Sequence, residues 1–201
     1  MTLSLSRTRR LLALGLLLAA YPMRPVGAQE VKQLIAACPT CHATSNVPAN
    51  SVNPVIWGQN VGYLYLQLRD FKLSTRASES DTAMHALTQA MTDSQMLAIA
   101  EYVASQPWPA SQDKTLPVTD ALYMRGAQLV AYGDCGACHF NNLQGYSATP
   151  RVRGQTPAYL TTTIQEFRDG KRRNSPGMAD LLRAYSPDEV KAIVAYLSRA
   201  E

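Results

Sequence analysis

Apolar residues recur at helical spacing along most of the chain. In QMLAIAEYVASQ (95–106) they fall at Met96, Leu97, Ile99, Ala100 and Val103, and in SPDEVKAIVAYLSRA (186–200) at Val190, Ile193, Val194 and Leu197. Spacings of three and four place such residues on one face of a helix. The second segment opens on Ser186, with Pro187 at the first helical position and Asp188 and Glu189 in the first turn. A capping hydroxyl, a residue with no N–H to satisfy and negative charge at the positive end of the dipole all favour a helix start there. TDSQ (92–95) starts the first segment in the same way. TDALYMRGAQLVAYG (119–133) predicts a helix capped at Thr119 or Asp120 and ended by Gly133. GYLYLQLRDF (62–71) and AYLTTTIQEF (158–167) predict two more. No segment shows the two-residue alternation of a half-buried strand, so the expected class is all-α.

These elements come in two sets. PVIWGQNVGYLYLQLRDFKLSTR (54–76) aligns with PRVRGQTPAYLTTTIQEFRDGKR (150–172) at a constant offset of 96. The alignment pairs Pro54 with Pro150, Gly58-Gln59 with Gly154-Gln155, Tyr63-Leu64 with Tyr159-Leu160, Phe71 with Phe167 and Arg76 with Arg172. Met84 and Met178, like Tyr102 and Tyr196, are 94 apart. An internal repeat of this kind means one structural unit built twice. The expected organisation is a first domain over 29–106, a Pro-rich linker over 107–118 and a second domain over 119–201. Proline keeps such a linker extended. Domains of roughly 80 residues bury small cores and often need a staple.

The N-terminus stands apart. Arg7, Arg9 and Arg10 precede the unbroken apolar run LLALGLLLAA, and Gly27 and Ala28 supply small residues before Gln29. That order predicts a signal peptide over 1–28 and a periplasmic mature chain. An uncleaved anchor is the competing reading, although the run is shorter than the roughly 20 residues that span a bilayer. TRRLLAL also carries a hint of a twin-arginine signal. The formal charge of +4 resides wholly in this segment, because the rest of the chain has equal numbers of basic and acidic residues. The basic stripe of a nucleic-acid binder is therefore absent, and no nucleic-acid partner is expected.

All four cysteines of the chain lie in CPTCH (38–42) and CGACH (135–139). Disulfides are open to an exported chain, but they leave the histidine after each pair unexplained. A structural zinc needs four ligands, and each repeat offers two cysteines and one histidine, with only His85 to spare. The third reading is covalent attachment of c-type haem. Cys38 and Cys41, or Cys135 and Cys138, sit on one helical turn and reach the two vinyl groups of a porphyrin. His42 or His139 then turns beneath the ring to bind iron. Two c-type haems, bound by thioethers, are the expected cofactors, and each would also be the missing staple.

A thioether on the other face of the iron raises the potential and suits electron transfer. In the second repeat Met178 is the only methionine after Cys138, and its surroundings, NSPGMADLL, read as a loop. In the first repeat Met84, His85, Met91 and Met96 are candidates. The repeat alignment selects Met84 and assigns Met91 and Met96 to packing, with His85 the competitor. Expected iron ligands are thus His42, Met84, His139 and Met178.

With these motifs, the chain resembles the two-haem class I cytochromes c, above all cytochrome c4 and the two-haem subunit of flavocytochrome c sulfide dehydrogenase. The likeness covers essentially the whole chain after residue 28. It implies two tandem small helical cytochrome c domains, each around one covalent haem with His/Met ligation. It implies that the carbonyls of Pro54 and Pro150 accept a hydrogen bond from the proximal histidines, and that Arg76 and Arg172 lie near haem propionates unless they are solvated surface residues. Tyr63, Tyr159, Gln59 and Gln155 would pack near the haem edge. There are departures. The family commonly has glycine after the haem-binding histidine, where this chain has Ala43 and Phe140, so a different loop is expected. Trp57 stands where the second repeat has Arg153, so the two pockets should differ. Gly126, which would allow close helix packing, has no counterpart in the first repeat.

The resulting expectation is a carrier that moves electrons by outer-sphere transfer between respiratory redox partners, not an enzyme. The partners would be a membrane oxidase, a reductase or a dehydrogenase, with peripheral membrane association only through them. An electron-accepting subunit of a dehydrogenase, such as a sulfide-oxidising flavoprotein, is the alternative, and a two-haem peroxidase a more distant one. Residues 29–106 carry a net charge of −2 and residues 119–201 a net +2, with RDGKRR (168–173) the densest basic run. That run is either a solvated face or a steering patch for an acidic partner.

Overall fold

A computed structural model describes residues 26–44, 52–76, 81–109, 118–140 and 142–199. Residues 1–25 of the expected signal peptide and 110–117 of the expected linker lie outside the described residues. Within them the chain is helical, with one isolated bridge between Tyr146 and Thr149 and no strand. In chain order the helices are α1 (Ala28–Leu34), α2 (Cys38–His42), α3 (Val61–Lys72), α4 (Thr82–Thr88) and α5 (Asp93–Ala104). The second set is α6 (Asp120–Tyr132), α7 (Cys135–His139), α8 (Pro157–Arg168), α9 (Pro176–Arg183) and α10 (Pro187–Ser198).

The caps explain the boundaries of the longer helices. Thr92 and Ser186 each accept the N–H of the third helical residue, while Gln95 and Glu189 reach back to the cap's own N–H, completing two capping boxes. Thr119 and Thr156 cap α6 and α8 with their hydroxyls. The first repeat opens on a shorter helix, α1 with 7 residues, than the second, α6 with 13.

Each repeat closes around its own apolar cluster. Leu64, Leu68, Met96, Ile99 and Val103 anchor the first, joined by Val31, Ile35 and Trp57. Leu160, Ile164, Phe167, Val190, Ile193 and Leu197 anchor the second, joined by Leu129 and Val130 of α6. Met96 is fully buried, in keeping with a packing role. In the second repeat α6 crosses α10 closely. A Cβ on Gly126 would lie 2.0 Å from the Ala192 carbonyl oxygen and 2.7 Å from Tyr196 Cβ, so this crossing requires glycine.

The structure corrects the loop reading of NSPGMADLL. The segment around Met178 is not a loop: Met178 sits in the first turn of α9, which starts at Pro176 behind Ser175. Met84 occupies the matching helix α4, whose Thr88 hydroxyl is positioned to bond the Met84 carbonyl at 3.0 Å.

Candidate haem sites

The site begins with the two five-residue helices. In α2 and α7 the cysteines are one turn apart and the histidine closes the helix. Cys38 packs against the first apolar cluster and Cys135 against the second, while Cys41 and Cys138 are exposed. All four thiols are unpaired, and the described residues hold no cluster of three or more His, Cys, Asp or Glu. Burial raises the Cys38 and Cys135 thiols above their ordinary pKa.

Both histidines are buried. His42 Nδ1 lies 2.8 Å from the Pro54 carbonyl oxygen and His139 Nδ1 lies 2.9 Å from that of Pro150. A carbonyl can only accept, so Nδ1 carries the proton and Nε2 keeps its lone pair. Burial lowers both imidazole pKa values; the proline carbonyls oppose this, and at His42 the charge of Arg76 adds to the lowering. A neutral ring with Nδ1 tethered and Nε2 available is the form that binds a metal. Trp57 donates its indole N–H to the His42 carbonyl at 3.2 Å. Its counterpart Arg153 instead stacks over Tyr196 at 4.2 Å and donates to the Tyr123 hydroxyl at 3.0 Å. The two surroundings therefore differ, as the Trp57/Arg153 mismatch suggests.

Met84 packs on the same cluster as Cys38, and Met178 on the same cluster as Cys135. His85 points its Nδ1 at the Phe71 carbonyl oxygen, 2.8 Å away, which ties its ring to the end of α3.

The arginines singled out by the repeat are not on the surface. Arg76 and Arg172 are 5% and 3% exposed and stack on the equivalent rings Phe71 and Phe167 at 4.5 and 4.6 Å. Arg76 pairs with buried Asp81 at 3.1 Å and donates to Gln67 Oε1 at 2.8 Å, and its Nε is buried without a partner. Arg172 reaches across to the first repeat, donating to Gln67 Oε1 at 2.9 Å and the Tyr63 hydroxyl at 3.2 Å. Burial alone would raise both phenols. Beside the Arg76 and Arg172 guanidiniums Tyr159 is instead held below its ordinary value, while Tyr63 stays raised by burial and by Tyr159. RDGKRR is thus no continuous solvated face, because Arg172 belongs to the interior.

Gln59, Gln155 and Tyr63 build a seam between the repeats, and Tyr159 joins it through Arg172, whose guanidinium donates to both tyrosine hydroxyls. Gln59 donates Nε2 to the Arg151 carbonyl at 2.8 Å and accepts the Arg151 N–H at 2.7 Å. Gln155 does the same to Val55, at 2.9 and 2.8 Å. Gly58 and Gly154, at φ +74° and +76°, make the turn that aims these side chains. Asn60 bonds the Gln144 and Thr149 carbonyls, and Tyr63 N–H bonds the Ser147 carbonyl. These seam roles go beyond the haem-edge packing expected from sequence. The repeated Gly-Gln at constant offset is the signal that could have found the clamps.

The donor set fits haem on several counts: paired thiols one turn apart, a tethered histidine with free Nε2, and an arginine lining with a partnerless buried Nε suited to carboxylates. Repeated twice on a helical scaffold, this defines a two-haem c-type cytochrome. A family model described as cytochrome c matches residues 123–201. Over 171 residues the chain is 31% identical to a thiosulfate dehydrogenase electron acceptor of Stutzerimonas stutzeri, covering 81% of this chain and 78% of that protein. It is 30% identical over 167 residues to cytochrome c4 of Thiocapsa roseopersicina, covering 80% and 85%. Among solved structures, reduced recombinant cytochrome c4 from Pseudomonas stutzeri matches with a TM-score of 0.73 at 23% identity, over 87% of this chain and 99% of that one. The chain belongs to the cytochrome c4 family of two-haem electron-transfer cytochromes. It carries two covalently attached c-type haems and works with redox protein partners. Each haem, when bound, supplies one-electron ferric/ferrous chemistry.

Proposed function

We propose that this protein is a periplasmic electron shuttle. Cys38 and Cys41, and Cys135 and Cys138, would carry the thioethers. His42 with Met84, and His139 with Met178, would be the axial ligands. The domains would be those read from the repeat, 29–106 and 119–201 around the linker 107–118. The observation that carries this reading is the doubled proximal geometry, in which each CxxCH histidine is tethered through Nδ1 to a proline carbonyl with Nε2 free. The roles of the chain's own residues follow. The helices exclude water, the prolines orient the imidazoles, and Arg76 and Arg172 supply positive charge for the propionates. The N-terminal pattern over 1–28 supports export. No helix of the described residues is long and apolar enough to cross a membrane.

A second reading concerns the donor. Two relatives, 31% and 33% identical, bear the name thiosulfate dehydrogenase electron acceptor. This favours a sulfur-oxidising dehydrogenase as the protein that reduces this chain, with a membrane oxidase downstream. Stopped-flow mixing tests the pair. Rapid reduction by thiosulfate and its dehydrogenase supports the second reading. Rapid oxidation by oxidase-bearing membranes, with no reduction by the dehydrogenase, leaves the first alone. Reaction with neither overturns the shuttle.

A further inference from the structure

One peptide group on each side of the seam makes two hydrogen bonds that belong to different repeats. The Pro54 carbonyl and the Val55 N–H are the two ends of a single peptide unit. Its oxygen accepts from His42 Nδ1 at 2.8 Å, and its N–H donates to Oε1 of Gln155, a residue 100 positions away, at 2.8 Å. The mirror unit joins the Pro150 carbonyl, which accepts from His139 Nδ1 at 2.9 Å, to the Arg151 N–H, which donates to Gln59 Oε1 at 2.7 Å. Both glutamines are buried, at 3% and 4% exposure. Each Oε1 also accepts the N–H of its own following residue, Asn60 or Thr156, at 2.9 Å, and each Nε2 returns to the carbonyl of Val55 or Arg151. The carboxamides are therefore held in one orientation.

A peptide unit is conjugated, so an acceptor at its N–H moves electron density toward its oxygen. The oxygen then accepts more strongly, and the histidine N–H it holds is polarised further. A more anionic imidazole favours the ferric state of an iron bound at Nε2. We infer that Gln155 is a positioning residue for His42 and Gln59 for His139, so that each haem's potential is set in part by a glutamine of the opposite repeat. The inference rests on the reading of His42 and His139 as iron ligands. It gives the seam a redox role: the two sites share one hydrogen-bonded frame, and loosening either clamp retunes the haem on the other side.

The test is a crossed pair of variants, Gln155→Met and Gln59→Met, in the intact holoprotein. Redox titration is followed by NMR, where each haem's resonances report its own midpoint. Gln155→Met is expected to raise the midpoint of the first-repeat haem by about twofold in its reduction equilibrium, about 18 mV at 59 mV per tenfold. The second haem should move by less than half of that. Gln59→Met should do the reverse. Midpoints that move together, that move on the mutated side, or that do not move overturn the inference. If a methionine variant fails to bind both haems, Gln155→Asn replaces it, keeping a carboxamide but lengthening the bond. The same crossed direction is expected, and its absence is equally fatal. The wild-type spectrum separates the two levels. If the Nδ1 protons of His42 and His139 show no iron-induced shift, the ligand reading fails. If they do and the midpoints do not cross, only the clamp inference fails.

Discussion

Ala43 and Phe140, the residues after the histidines of the two CxxCH motifs, adopt φ/ψ of 37°/153° and 62°/165°. This region belongs almost entirely to glycine, and a side chain there costs about 1–3 kcal/mol. The family resemblance set glycine at these positions and suggested a different loop without it. The loop instead keeps a glycine-like conformation and carries the strain. Ala43→Gly should therefore stabilise the holoprotein by about 1 kcal/mol after the unfolded-state entropy of glycine is counted, read as a higher denaturant midpoint. Phe140→Gly should gain less, because the Phe140 ring packs edge-on against Tyr146 at 5.7 Å. The sixth ligand of the first haem is also a residue-scale question. Met84→Ala should abolish the Met–iron absorption of one haem and lower its potential, since loss of the thioether removes what raises it. His85→Ala should leave both haem spectra unchanged, because His85 is tied to Phe71. The opposite pattern would make His85 the ligand.

At the scale of elements, the long helices were legible because their information is local. An apolar stripe behind a hydroxyl start located α5 and α10, a capping residue and a closing glycine located α6, and the repeated segments 62–71 and 158–167 fall inside α3 and α8; both capping boxes lie where TDSQ and SPDE suggested. The helices around Met84 and Met178 were not legible. Segments of seven and eight residues carry too little periodicity, and such short helices depend on tertiary packing. Two tests belong here. Gly126→Ala drives a methyl into the Ala192 carbonyl, so it should destabilise the second repeat by about 1–3 kcal/mol or more. A melt that shows no loss would mean that α6 and α10 cross less closely. The Glu189 carboxylate is held below its ordinary pKa of 4.5 by the Ser186 N–H and hydroxyl, with Arg125 assisting. The charged form is favoured in the fold, so its stabilisation is present above pH 4.5 and is lost as pH falls through the lower folded value. Amide exchange at the start of α10 should accelerate over that acid range, and Glu189→Gln should flatten the dependence.

For the whole molecule, the repeat was visible as constant offsets in sequence, and the haem motifs announced themselves by spacing. The seam was not visible. Its bonds join residues about 100 positions apart, and whether a glutamine packs beside a haem or clasps another backbone is decided only when both repeats are placed. The buried state of Arg76 and Arg172 was missed in part for the same reason, since an arginine can be solvated or interior with the same neighbours in sequence. The result is two haem sites on one frame, joined by polar bonds and by a shared arginine-lined interior. Such an arrangement suits electrons that enter at one site and leave at the other. The most direct measurement of that claim is a potentiometric optical titration of the intact holoprotein, calibrated for haem. Two haems per chain, both low-spin, both at high potential and both with Met–iron absorption in the oxidised form, are expected. Fewer than two haems, or one that is high-spin or at low potential, would contradict a two-site His/Met carrier.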